Sequence, residues 1–220
     1  MTANEVKKIQ ASETVLLSAV LSFSGGFQDA YTYNLRDKVF ANAQTGNIVL
    51  MSQHLMMGEN FKAIHYLIPI LSFAVGVFIA EQIGHKYKHC QKVHWRQMIL
   101  LIEILVLGIV GFLPESCNTL ANMLVSLSCA MQVQTFRKIN GFAYASTMCI
   151  GNLRSGTESF SVFIRDKNVK ALYKAFHYYG IIFIFAIGAG LGAILSINLG
   201  FRAIWGCLIF LIFGIFLMRK

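Results

Sequence analysis

The sequence predicts an all-α integral membrane protein, with six transmembrane helices arranged as two inverted three-helix repeats, each carrying a short re-entrant or broken polar segment. Three observations carry that expectation. Only 13% of the 220 residues are charged while 56% are hydrophobic, against about 25% charged in a soluble domain. Six windows are predominantly apolar over lengths near the roughly 17–25 residues that span a bilayer as helix. The chain also resembles itself at a spacing close to half its length.

In chain order the windows are 15–33, 64–83, 98–113, 120–131, 172–197 and 203–218. The first opens like a signal peptide, with Lys7 and Lys8 ahead of a short apolar run. That run continues directly into FQDAYTY, so it reads as a retained first helix. Between windows lie two short polar-interrupted segments, 39–57 and 142–164. The earlier one contains FANAQTGN, in which Asn42, Gln44, Thr45, Gly46 and Asn47 fall among apolar neighbours. The later one contains CIGNLRSGTESF, with Gly151, Asn152, Arg154 and Glu158.

The repeat rests on four matches in the same order. FSGGFQD matches LSCAMQV, placing Gln28 opposite Gln132; AQTGNIV matches MCIGNLR; FAVG matches FAIG; VLGIV matches IFGIF. Their shifts are 104, 105, 112 and 106 residues. The halves run about 12–114 and 118–219 of a single transmembrane domain, 1–220. If neither short segment crosses and both termini are cytoplasmic, 14 of the 19 Lys and Arg fall inside, several in a basic loop at 85–97. This is the bias expected of cytoplasmic loops. A seven-span arrangement with an external N-terminus gives the same split; matched segments should behave alike, which favours six. Three spans per half is odd, so the halves would enter from opposite faces, the plan of many transporters.

Small residues recur every fourth position as Ser18, Ser22, Gly26 and Ala30; as Ser72, Gly76, Ala80 and Gly84; and as Gly188, Gly192 and Ser196. Such ridges let helices approach closely in lipid. They also set Gln28 and Asp29 beside a tightly packed face. Asp29 has two readings: an interfacial carboxylate beside Tyr31 and Tyr33, or an acid facing the bundle interior, where acids mark ion or substrate paths. Arg154 and Glu158 stand at i, i+4 and either neutralise one another, or leave Arg154 to recognise an anion or pair with Asp29. Gly46 and Gly151 would allow close backbone approach. Glu103 interrupts its own apolar run without an evident partner and reads as snorkelling or interhelical.

The net charge of +9 belongs to loop ends and does not point to nucleic acid. Five scattered cysteines make no disulfide framework, and HKYKHCQKVH has no usual zinc spacing. No cofactor or metal is expected. HExxH, GxSxG and GxxxxGK[ST] are missing, so the usual hydrolase and nucleotide signals are too.

GGFQDAYTY, FANAQTGN and GNLRS together resemble the YoaK-like bacterial membrane proteins, a family described as a domain of unknown function. The resemblance implies a multi-pass protein of the bacterial inner membrane and supplies no substrate or reaction. The polar segments themselves lead to the functional expectation: a transporter or channel for a small polar or anionic solute, in contact with the lipid bilayer. A homo-oligomer stays open. The alternative is an interaction or sensor subunit that docks partners or anionic lipid through its basic loops.

Overall fold

A computed structural model of the chain describes residues 13–88 and 94–218. Both termini, expected to be cytoplasmic, and the centre of the basic loop lie outside the described residues. Within them the protein is all-α apart from one small hairpin. The helices are α1 (Val15–Leu35), α2 (Gln44–Met56), α3 (Asn60–Tyr87), α4 (Trp95–Val110), α5 (Asn118–Thr135), α6 (Cys149–Asp166), α7 (Val169–Leu199) and α8 (Trp205–Leu217). The hairpin pairs β1 (Lys138–Ile139) with β2 (Phe142–Ala143), antiparallel. Asn140 and Gly141 turn it with φ of 47° and 81°, the left-handed pair that a tight hairpin demands.

Two helical stretches are long and apolar enough to cross a membrane: α3, and the run 169–217 from α7 to α8 through a 3-10 turn. Helices α1 and α5 fall short of that test for a physical reason. They are the inner helices, with 14 and 12 residues buried respectively. A helix enclosed by protein need not be apolar, so these two carry Ser18, Ser22, Gln28, Asp29 and Thr32, and Asn118, Asn122, Ser126, Ser128 and Gln132. The outer helices show the opposite pattern. Leu71, Val75 and Phe78 on α3, Leu101, Leu105 and Ile109 on α4, and Phe183, Ile187, Leu191 and Ile194 on α7 are all exposed.

Helix packing follows the small residues. α1 lies along α7 and α3 along α5, the two most extensive contacts in the molecule. A Cβ on Gly188 would fall on the carbonyl oxygen of Phe23, and one on Gly26 on that of Phe185. A Cβ on Gly76 would come within 2.5 Å of the Leu127 carbonyl oxygen. These ridges of the sequence are therefore backbone-to-backbone contacts. α2 packs on α3 and α6 on α7; α4 packs on α5, α1 on α8, and α4 on α8. α5 runs antiparallel to α1: Asn118 bonds to Arg36 at one end, and Gln132 reaches the Leu21 carbonyl towards the other.

Candidate functional site

Gly25 is the middle residue of α1, and both polar loops reach it. After α1 ends, the chain doubles back, and Asn42 donates from its amide to Asp29 Oδ1 (2.8 Å) and from Nδ2 to the Gly25 carbonyl (3.1 Å). Gly25 lies ten residues before the last residue of α1, so the loop returns about 15 Å along the helix. The second loop leaves α5 near the start of α1. It passes the hairpin and brings Ser146 to Gln132 Nε2 (2.9 Å) and Thr147 against Gly25, where a Cβ would meet its methyl group. Two loops thus enter from opposite ends of α1 and meet at its midpoint. From there α2 and α6 run outwards. Their capping residues, Ala43 and Met148, make no side-chain hydrogen bond to the first turn; in α2 the Gln44 and Gly46 amides donate to the Asn42 and Ala43 carbonyls instead.

Around the midpoint is a chain of buried polar groups. Gln28 donates to Ser24 Oγ (2.9 Å) and to Glu103 Oε1 (3.1 Å), and its Oε1 accepts from Cys129 Sγ (2.9 Å). Glu103 is fully buried, and among the described residues no cation forms an ion pair with it or with Asp29. Several buried acceptors and hydroxyls here have no protein partner: Glu103 Oε2, Asn42 Oδ1, Gln132 Oε1, Ser128 Oγ and Thr147 Oγ1. Buried polar groups are ordinarily satisfied, and these five atoms find no partner within the protein.

The sequence-predicted residues divide into three groups. Gln28, Asp29, Asn42 and Gln132 come together at the centre. Gln44 and Asn47 brace their own loop instead: Gln44 Nε2 donates to the Ala41 carbonyl, and Asn47 Nδ2 donates to the Phe40 carbonyl (2.8 Å) and to Gln44 Oε1 (3.0 Å). Asn152 does the same for Ala145 (2.7 Å). Thr45, Arg154 and Glu158 are exposed. Among the described residues no ion pair joins Arg154 to Asp29 or to Glu158. No contact within the protein requires glycine at 46 or 151. A Cβ on Gly46 would make ordinary contact with Phe40 at 3.4 Å, and one on Gly151 would meet nothing within 4 Å.

Glu103, read from sequence as snorkelling or interhelical, is interhelical; Cys129 and Arg36 were not singled out from sequence. Glu103 and Cys129 join the centre through Gln28, across 75 and 101 residues of chain. Arg36, counted as a loop charge, is fully buried. It donates to the carbonyls of Val110, Leu113 and Pro114, to Asn118 Oδ1 and to the Tyr31 hydroxyl, and its guanidinium lies 4.0 Å from the Phe201 ring centre. It caps the C-terminal end of α4, where a cation opposes the helix dipole. Among the described residues no cluster of His, Cys, Asp and Glu could hold a metal.

The fold and its centre define an all-helical protein with two convergent polar loops around a buried carboxyl–amide cluster. The chain belongs to the family described as Protein of unknown function (DUF1275), whose model matches residues 17–217. No curated protein and no solved structure matches it.

Proposed function

We propose that the protein is a membrane transporter or channel for a small polar or anionic solute, which passes the cluster of Gln28, Asp29, Asn42, Glu103 and Gln132. The observation that carries this reading is the meeting of two loops at Gly25 from opposite ends of α1. Irregular backbone at membrane depth is tolerated only where protein or a watery cavity surrounds it. Broken helices whose N-termini point at a midplane site are the construction of many solute carriers.

The six-span inverted repeat is part of the same proposal. The exchange of partners supports it: α1 on α7 answers α5 on α3, α2 on α3 answers α6 on α7, α1 on α8 answers α5 on α4, and α4 and α8 meet each other. So do the paired clamps of Asn47 and Asn152, each spanning seven residues. The exposed apolar residues that recur along α3, α4 and α7 support immersion in lipid. The resemblance to YoaK-like proteins adds the bacterial inner membrane, and the Lys and Arg bias of the loops adds cytoplasmic termini.

The test is flux through reconstituted vesicles. Purified protein in liposomes is mixed with a defined pool of polar metabolites, and the trapped solutes are measured by mass spectrometry. Enrichment over empty liposomes, lost in Asp29→Asn or Glu103→Gln protein of wild-type thermal stability, is the expected result. A pool entering protein-containing and empty vesicles equally, at several pH values and membrane potentials, would sink the proposal.

A further inference from the structure

We propose that the cavity between the C-terminal ends of α3 and α5 is a binding site for a phosphate-bearing anion. The cavity measures about 460 Å³, within the range of roughly 300–1,000 Å³ typical of small-molecule sites. Its cations arrive from three places in the chain: Lys88 beyond the last turn of α3, Arg96 in the first turn of α4, and Arg137 with Lys138 where the chain enters the hairpin after α5. Two carboxylates share the lining, Glu13 and Glu81, and Glu81 already accepts a hydrogen bond from Gln134 Nε2 (2.5 Å). Among the described residues of the lining, the balance of fixed charge is therefore +2, counting four cations against two acids.

Lysines and arginines that serve only to fix topology can spread over an exposed face, as Lys167 and Lys170 do on the α6–α7 turn. Lys88, Arg137 and Lys138 are exposed as well, but together with Arg96 they converge on one concavity. A phosphate monoester carries close to two negative charges at neutral pH, about −1.5 to −2, and a phosphodiester headgroup carries one. Arg also matches phosphate through paired N–H donors. The floor is shaped for a guest as well. Ala80, Gly84 and Ala143 leave it open, and Thr135, 3% exposed, offers a hydroxyl without a partner. Trp95 forms one wall, with the Arg96 guanidinium 5.1 Å from its ring centre. Thr135 stands about one helical turn from Gln132, so the site would be the mouth of the central cluster. Binding here is measured without flux, so this inference and the transport proposal can fail separately.

The experiment uses the full chain in neutral detergent and reads tryptophan emission. The chain has two tryptophans; Trp95 lines the cavity, whereas Trp205 is bonded to the Gly108 carbonyl. Inorganic phosphate and short-chain phosphatidylglycerol are titrated separately, against sodium chloride of matched ionic strength and short-chain phosphatidylcholine. A saturable change with phosphate or phosphatidylglycerol, absent with the controls and absent in Trp95→Phe, is expected. Arg137→Gln/Lys138→Gln should weaken it on the order of tenfold or more, and Lys167→Gln/Lys170→Gln should not. Should the first double variant fail to fold, Lys88→Gln at the exposed rim makes the comparison. Response to phosphate assigns a soluble anion, and response to phosphatidylglycerol alone assigns a lipid headgroup. No saturable response to either, or equal weakening by the control variant, would overturn the site.

Discussion

Asn152 holds Ala145, seven residues earlier, by both backbone groups: its Nδ2 donates to the Ala145 carbonyl at 2.7 Å and its Oδ1 accepts the Ala145 amide at 3.4 Å. Asn47 closes the same ring on Phe40, at 2.8 and 3.4 Å. A carboxamide is the side chain that can donate and accept at once from one plane. Here it stands in for the missing strand beside an extended segment.

The first prediction follows from this ring. Asn47→Ala and Asn152→Ala each leave a backbone amide and carbonyl unpaired, at a cost of about 1–3 kcal/mol. Both should lower the unfolding temperature of the purified protein. Asn152→Ala should also raise the labelling rate of Cys149, which begins α6. Wild-type stability in either variant would free that asparagine for a ligand and reopen its place in the site.

Close helix contact gives a second prediction. Gly188→Ala places a methyl group on the Phe23 carbonyl, and neither backbone can yield without separating α1 from α7. Overpacking of this kind costs about 1–3 kcal/mol or more. A Cβ on Gly190 or on Gly151 would meet nothing within 4 Å. Alanine at either site removes the flexibility penalty of glycine in a helix and should be neutral or stabilising by up to about 1 kcal/mol. Equal tolerance of Gly188→Ala and Gly190→Ala in unfolding measurements would contradict the packing.

How far the sequence reached depended on the range of each interaction. The ridges around Gly26 and Gly188 repeat every fourth residue, so the close helix contact was readable, though not which helices it joined. The Gly-Asn pairs were readable as matched elements. Their roles were not, because the Asn side chain turns back on its own loop while the glycine packs against little. Arg154 and Glu158 had the spacing of a helical ion pair, but two exposed charges gain little by meeting. Glu103 looked isolated because its partner, Gln28, lies in another helix. Arg36 sat among loop charges, and nothing local distinguishes a solvated arginine from one that caps a distant helix.

A third prediction concerns that arginine. Arg36 uses its planar donors on three carbonyls at the end of α4, the Asn118 side chain and the Tyr31 hydroxyl. Lysine keeps the charge but has three donors on one atom, so it cannot reach the same set. Arg36→Lys should lose at least about 2 kcal/mol, given that hydrogen bonds to a charged group are worth about 1.5–3 each. Arg36→Met should lose more. Unfolding of Arg36→Lys at the wild-type temperature would show that the fork geometry is dispensable.

The last prediction separates structure from function at the centre. Gln28 bonds Glu103, Ser24 and Cys129 together, so removing either member of the Gln28–Glu103 pair strands polar atoms inside the protein. Gln28→Leu and Glu103→Leu should each destabilise, and the double variant should lose less than their sum, with a coupling of about 0.5–3 kcal/mol. The conservative changes behave differently. Glu103→Gln still accepts from Gln28, and Asp29→Asn still accepts the Asn42 amide through Oδ1, so both should fold with stability near wild type. What they lose is the ability to carry or exchange a charge at a buried position, the property for which intramembrane acids are retained. Solute flux in vesicles should therefore fall sharply in both. Arg154→Gln, an exposed position, should change stability by no more than about 0.5 kcal/mol and should add independently to Asp29→Asn. Full flux in Glu103→Gln and Asp29→Asn would make the buried carboxyls structural, and strict additivity of the Gln28 and Glu103 variants would remove the bond between them from the account.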